Sequence, residues 1–272
     1  MKYCLPYITN FKYMDELDEV IIPYKPGHDA KFLDILLADT KVMAMRIILE
    51  VQDIESFEKE NSLQFFSELK KDNPEIDFSF KFMRYDESKD IVFNLCKELQ
   101  IPFFFETYVR DWDLFTFFMN LGVSDMYIVE TLAFELDKIG AQAHAKDISI
   151  RAFANVCQSS APKKEDLKSF FIRPEDVDIY AHYIDVLEFY GDDNTQNVMY
   201  KIYAKDKKWF GPLKEIIIGL EHDLDSRFVM PIYARTRIKC GKRCLKGHFC
   251  NICENVAVVA ETLEEKGLNV KK

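Results

Sequence analysis

Four of the chain's seven cysteines fall within fourteen residues, as Cys240, Cys244, Cys250 and Cys253, in the spacing C-x3-C-x5-C-x2-C. A thiolate is a soft, charged ligand. Four of them on one short loop can close a tetrahedron round Zn2+ or hold an iron–sulfur cluster. Lys239, Lys242, Arg243 and Lys246 are interleaved with them, and their charge lowers thiol pKa values and offsets a four-thiolate site. Gly241 and Gly247 supply the backbone freedom a tight ligand loop needs, and His248 is available as a substitute ligand. The spacing predicts one metal centre on these four cysteines, zinc or iron–sulfur, without choosing between the two. The alternative is a redox-active or merely reduced group of thiols.

A second set of chemically capable residues recurs where apolar runs end. Glu50 follows Ile47-Ile48-Leu49, Arg84 follows Phe80-Lys81-Phe82-Met83, and Glu106 follows three phenylalanines. Glu130 follows Tyr127-Ile128-Val129, Asn155 and Gln158 follow Ala152-Phe153, Arg173 follows Phe170-Phe171-Ile172, and Glu188 follows Val186-Leu187. In a parallel barrel these positions are the carboxyl ends of strands, where catalytic groups stand. Glu106, Glu130, Asn155 and Arg173 are the leading catalytic candidates. Carboxylates beside guanidiniums can do acid–base work or bind a polar substrate. They can equally pair with one another and do nothing else, and Arg173 is expected to neutralise at least one glutamate. Cys157 could be a nucleophile, but a cysteine at a strand end is more often a small buried hydrophobe. His144 and His182 read as surface or core groups. No phosphate-loop, dinucleotide or zinc-protease motif is present.

The elements that must position these groups alternate from the first residues. Apolar or alternating runs at Lys2–Ile8, Glu19–Lys25, Val42–Val51, Asp77–Tyr85, Ile101–Val109, Asp125–Glu130, Ile148–Val156, Ser169–Arg173 and Asp185–Gly191 read as strands. Helix signatures lie between them, with Gly122 and Gly140 as expected stops. The rhythm predicts an α/β fold, a (β/α)8 TIM-type barrel over 1–192. A C-terminal helical extension over 193–272 carries the cysteine loop and packs on the barrel. Nine candidates crowd eight places, and one of the early runs or Asp185–Gly191 is expected to lie outside.

Composition bounds the partners. A charge of −10 repels phosphates over most of the surface, so nucleic acid is expected nowhere except locally at the basic cysteine loop. No run reaches transmembrane length and the start lacks a signal-peptide core. With an odd number of cysteines, the expectation is a reducing, cytoplasmic setting. Twenty-three phenylalanines are most simply core, without the basic stripe that base stacking needs.

Three segments resemble the peptidase U32 family. These are GVSDMYIVETLAFE (Gly122–Glu135), ISIRAFANVCQSS (Ile148–Ser160) and FFIRPEDV (Phe170–Val177). The resemblance implies a (β/α) barrel and often an iron–sulfur cluster held by four cysteines. Its members are linked to hydroxylation of RNA bases or quinone precursors as well as to proteolysis. The family's glutamate–phenylalanine–glycine–cysteine signature is absent, although Glu188-Phe189-Tyr190-Gly191 shares part of it, and the cysteines here form one C-terminal group. Two functional classes follow. One is an enzyme that hydroxylates or hydrolyses a small polar substrate at the barrel mouth. The other is a non-catalytic assembly subunit, a barrel scaffold that meets a protein partner and carries a structural zinc knuckle. The sequence names neither substrate nor oligomeric state.

Overall fold

Phe78-Ser79-Phe80-Lys81-Phe82 shows how this sequence makes its sheet. Successive side chains of a strand point to opposite faces. The three phenylalanines face the helix layer, where Phe80 meets Phe57 and Phe66 edge-on at 5.0 and 5.1 Å. The alternate positions, Ser79 and Lys81, face inward, and all five residues are buried. In a computed structural model, which describes residues 1–8, 11–27, 45–59, 61–128, 132–157, 170–220, 224–241 and 251–267, this segment is the fourth strand of a closed eight-stranded barrel. The strands are β1 (Lys2–Pro6), β2 (Glu19–Tyr24), β3 (Arg46–Val51), β4 (Phe78–Phe82), β5 (Phe103–Val109), β6 (Asp125–Ile128), β7 (Ser149–Phe153) and β8 (Val186–Glu188). All neighbours are parallel, and β1 closes on β8 through Lys2↔Val186, Tyr3↔Leu187 and Cys4↔Glu188.

Helices wrap the outside: α1 (Ile54–Lys59), α2 (Ser62–Asp72), α3 (Asp90–Glu98), α4 (Trp112–Leu121), α5 (Leu136–His144), α6 (Val177–Tyr180), α7 (Asp193–Tyr200), α8 (Ile232–Arg237) and α9 (Ile252–Glu265). Between sheet and helices runs a continuous aromatic layer. Phe93 of α3 stacks on Phe103 at 5.7 Å, and Phe118 of α4 stacks on Phe105 at 5.3 Å. Removing one such buried ring costs about 3–5 kcal/mol, so this layer is the principal support of the barrel. Gly122 ends α4 in the left-handed region, φ 78°, where glycine carries no Cβ penalty. Gly140 does not end its helix, which runs on to His144. After β8, α7 brings Tyr200 against Tyr3 and Phe11 at 5.6 and 5.5 Å, covering the seam where β1 meets β8. Among the described residues no helix is long and apolar enough to cross a membrane.

The eighth strand differs from expectation. Asp185–Gly191 supplies β8, and the supernumerary candidate is Ser169–Arg173, whose residues 170–173 belong to no barrel strand. Phe170, Phe171 and Ile172 are apolar because they are buried against Tyr180, Tyr233 and Tyr203 outside the sheet. Burial in a helix layer produces the same apolar run as burial in a parallel strand.

Candidate active site

The inward positions of the barrel carry charge in two tiers. The lower tier lies towards the amino ends of the strands. Glu19 and Arg46 open β2 and β3, Asp125 opens β6, and Arg151 reaches in from β7. Arg151 Nη1 donates to Glu19 Oε2 at 2.7 Å and to Asp125 Oδ1 at 2.9 Å. Arg46 grips Asp125 with two bonds of 2.9 and 2.6 Å. Burial alone would raise the Asp125 carboxyl, but the Arg46 and Arg151 guanidiniums outweigh it and hold it at about 2. Arg151 lies over the Phe104 ring at 5.1 Å. Its Nε and Nη2, like Ser79 Oγ, have no hydrogen-bond partner among the described residues.

The upper tier forms the mouth. Lys81 Nζ lies 3.1 Å from Glu50 Oε1, 3.1 Å from Glu106 Oε2 and 3.6 Å from Glu188 Oε1. Lys81 is 3% exposed, whereas Glu50 and Glu106 keep 20% and 29% of their side chains open to solvent. Burial lowers the Lys81 pKa, but Glu188, Glu50 and Glu106 together drive it above its ordinary value. Three carboxylates within 3.6 Å favour the ammonium form of this amine. Tyr127 Oη donates to Glu188 Oε2 at 2.5 Å; burial first, and Glu188 second, raise this phenol well above its usual range. Arg151 Nη2 stands 3.8 Å from the same carboxylate oxygen. Glu188 thus joins the two tiers.

Above these groups opens a cavity of about 450 Å3 whose walls include Pro23, Glu50, Lys81, Glu106, Phe153 and Tyr190. Its aromatic side is ordered by stacking of Phe153 on Tyr127 at 5.4 Å and an edge contact from Tyr190 to Phe153 at 6.4 Å. A groove of about 490 Å3 lies outside the barrel between α2 and α3. Two of its charged lining residues, Glu58 and Glu68, are tied to Lys89 and Gln64. No carboxylate set converges there as in the mouth.

Of the leading candidates, Glu106 stands in the mouth, and so do Glu50 and Glu188. Glu130 and Gln158 lie outside the described residues. Asn155 is buried and serves the loop after β8: its Nδ2 donates to Tyr190 O at 2.7 Å, and Tyr190 N donates to its Oδ1 at 2.8 Å. Among the described residues Arg173 pairs with none of the mouth glutamates Glu50, Glu106 and Glu188. Its Nε and Nη2 bind Asp176 at 2.6 and 2.8 Å, and Nη1 reaches the Val229 carbonyl at 2.8 Å. The acidic turn that follows Arg173 offers a carboxylate three residues away, so the local partner wins. Arg84 is exposed beside a shallow 210 Å3 hollow with Asp53 and Asp86. Cys157 is buried, and His144 bonds Asp185 at the surface. Lys81, Tyr127 and Arg151 were not candidates from sequence, although the alternation in Phe78–Phe82 carried the signal for Lys81.

Cys240 and Cys253 are half-buried against the core, whereas Cys244, Cys250 and His248 lie outside the described residues. Among the described residues no group of three or more His, Cys, Asp or Glu side chains is gathered to hold a metal.

No family model matches this chain, and no curated protein matches it. Solved structures resemble it distantly. A 4-hydroxy-2-oxoglutarate aldolase from TTHB1 is 10% identical with a TM-score of 0.41, over 74% of this chain and 90% of its own. The tryptophan synthase α subunit from Legionella pneumophila str. Paris is 12% identical with a TM-score of 0.41, over 89% and 93%. The U32 peptidase Mk0906 is 9% identical with a TM-score of 0.38, over 71% and 93%. None of these similarities carries an activity to this chain, which stands as a closed parallel (β/α)8 barrel on its own strand pairing.

Proposed function

We propose that the chain is a barrel enzyme acting on a small polar substrate at the mouth by proton transfer, with hydrolysis as the reaction class. Glu106 and Glu50 are the acid–base pair. Each has one face on Lys81 and another open to the cavity, so a bound substrate can reach them. Lys81 keeps the two carboxylates close despite their repulsion. Tyr127 and Arg151 hold Glu188 beneath. The mouth holds three carboxylates against one ammonium, and an aromatic wall stands beside them, which favours a substrate bearing a cationic group. Three carboxylates converging on one buried ammonium under an open cavity is the observation that carries this reading. The test is a thermal-shift screen of the intact protein against small amines, amino acids and their neutral and anionic counterparts, followed by assay of any binder. Cationic compounds should raise the melting temperature. Glu106→Gln should abolish turnover with the fold intact. A screen in which no cationic compound binds would end the reading.

The second reading is a non-catalytic scaffold. Its support is that each charge of the upper tier already has a partner within the barrel. An iron–sulfur or zinc centre on Cys240, Cys244, Cys250 and Cys253, as in the U32-like resemblance, is compatible with either reading and rests on the ligand spacing. Metal content of anaerobically purified protein tests it directly.

A further inference from the structure

The cavity at the mouth offers hydrogen-bond acceptors in two places. The first is the open faces of Glu50 and Glu106, whose other faces are turned to Lys81. The second is the loop from β8 into α7, where Asp192 and Gln196 line the same cavity. Gln196 is 4% exposed. Its Nε2 donates to Gly191 O at 2.8 Å. That bond fixes the amide, because turning it over would set two oxygens against each other. The carbonyl end is left over: Oε1 is buried with no hydrogen-bond partner among the described residues. A buried acceptor left unmet costs stability, and holding Gly191 needs only the other end of the amide. Asp192 is exposed beside it, joined to Gln196 by the first turn of α7, in which Gln196 N donates to Asp192 O at 2.9 Å.

Charge selects the donor that fits these places. In the lower tier Glu19 and Asp125 meet Arg46 and Arg151, carboxylate for guanidinium. The described lining of the mouth instead sets four carboxylates, Glu50, Glu106, Glu188 and Asp192, against one cation, Lys81. A ligand with a single positive charge leaves most of that excess standing. One with a positive charge at each end meets both acceptor places at once. The same cavity has apolar walls at Pro6, Ile21 and Pro23, against which methylene groups leave water. Tyr190, 60% exposed, adds an aromatic ring for a cation. A bare metal ion fits less well. The point the upper carboxylates share is filled by the Lys81 ammonium, 3.1, 3.1 and 3.6 Å from their oxygens.

We infer that the mouth takes a linear aliphatic dication, a diamine or longer polyamine, with one ammonium against Glu50 and Glu106 and the other against Gln196 Oε1 and Asp192. Gln196 is then the residue that sets specificity for the second charged end. The inference rests on the cationic-substrate reading of the mouth and names the class of cation within it.

The experiment titrates the full chain by calorimetry at neutral pH with putrescine, cadaverine, spermidine, butylamine, butanediol and Mg2+. A diamine should bind about tenfold or more tighter than butylamine, the margin that a second charged hydrogen bond provides, and butanediol should not bind. Gln196→Met keeps the length of the side chain and removes its acceptor, and should cut that margin about tenfold. Asp192→Asn keeps the cap of α7 while removing the charge, and should cut the margin as well. If Gln196→Met does not fold, Asp192→Asn decides alone. Equal affinity for butylamine and every diamine overturns the inference while leaving a singly charged substrate at the mouth. A margin that survives in both variants overturns the assignment of the second end to Gln196 and Asp192. Binding of Mg2+ without binding of any diamine assigns the acids to a metal and overturns the inference. No binding by any cation overturns both readings.

Discussion

Lys81 is the residue on which the mouth depends. Three carboxylates share its ammonium, so its removal leaves their repulsion uncompensated at a site almost closed to water. Lys81→Met is expected to cost about 3–5 kcal/mol, the range for removing one partner of a buried ionic group, read as a fall in the urea midpoint. Glu106→Gln, at the solvent edge, should cost less than 1 kcal/mol. Equal losses in the two variants would show that the ammonium is not the keystone. Glu50, Glu106 and Glu188 were legible in the sequence because each interrupts an apolar run at its end. Lys81, Tyr127 and Arg151 were not, because each sits inside a strand run, and only residues at the ends of runs read as site groups. A parallel barrel has an inner face as well as a helix face, and polar groups can occupy the inner one when they pair across it. Phe78-Ser79-Phe80-Lys81-Phe82 shows that alternation; Asp125–Ile128, with four residues, is too short for it to stand out. Among the described residues Arg173 is held by a local partner instead: Asp176, three residues away, takes two of its nitrogens.

At the level of elements, the loop from β8 into α7 decides the shape of the cavity. Asn155 holds Tyr190 by two bonds to its backbone. The chain then turns at Gly191 with φ 135°, and Asp192 caps α7 by accepting from Thr195 N at 2.8 Å. A Cβ at position 191 would lie 2.6 Å from Thr195 Cγ2, on a backbone that L-residues rarely adopt. Gly191→Ala is therefore expected to lower stability by about 1–3 kcal/mol, measured by thermal melting, and to weaken any ligand bound beside Tyr190. Asn155→Ala removes both bonds, each worth about 1 kcal/mol at this part-buried position. It should also raise hydrogen exchange at the Tyr190 amide; exchange as slow as in wild type would refute the clamp. The rhythm of strands and helices was legible because period two and period 3.6 alternate along the chain. The identity of the eighth strand was not. Residues 170–172 and Val186–Glu188 are both short, largely apolar and buried, and it is the pairing of Val186–Glu188 with β1 and β7 that separates them.

For the molecule as a whole, the lower ionic tier ties β2, β3, β6 and β7 across the barrel axis, so its protonation state is a property of the closed barrel. Asp125 is the group whose pH response can be stated with a sign. Its folded pKa is about 2, below the ordinary 3.8. A carboxyl depressed in this way contributes stability that is present above the unfolded value, near pH 4, and is lost as pH falls through the folded value, near pH 2. The contribution is about 2 kcal/mol in order of magnitude, since each tenfold change in proton affinity is worth 1.4 kcal/mol. Wild-type stability from urea melts should therefore fall between pH 4 and pH 2 more steeply than that of Asp125→Asn, which has no proton to bind at this position. At neutral pH the variant should already be several kcal/mol less stable, because Arg46 and Arg151 lose a charge that both of them bond. The two curves should then converge towards pH 2, where the wild-type carboxyl becomes half protonated and resembles the amide. Parallel curves over that interval would mean that Asp125 titrates identically folded and unfolded, and that the guanidiniums do not hold it as their geometry requires.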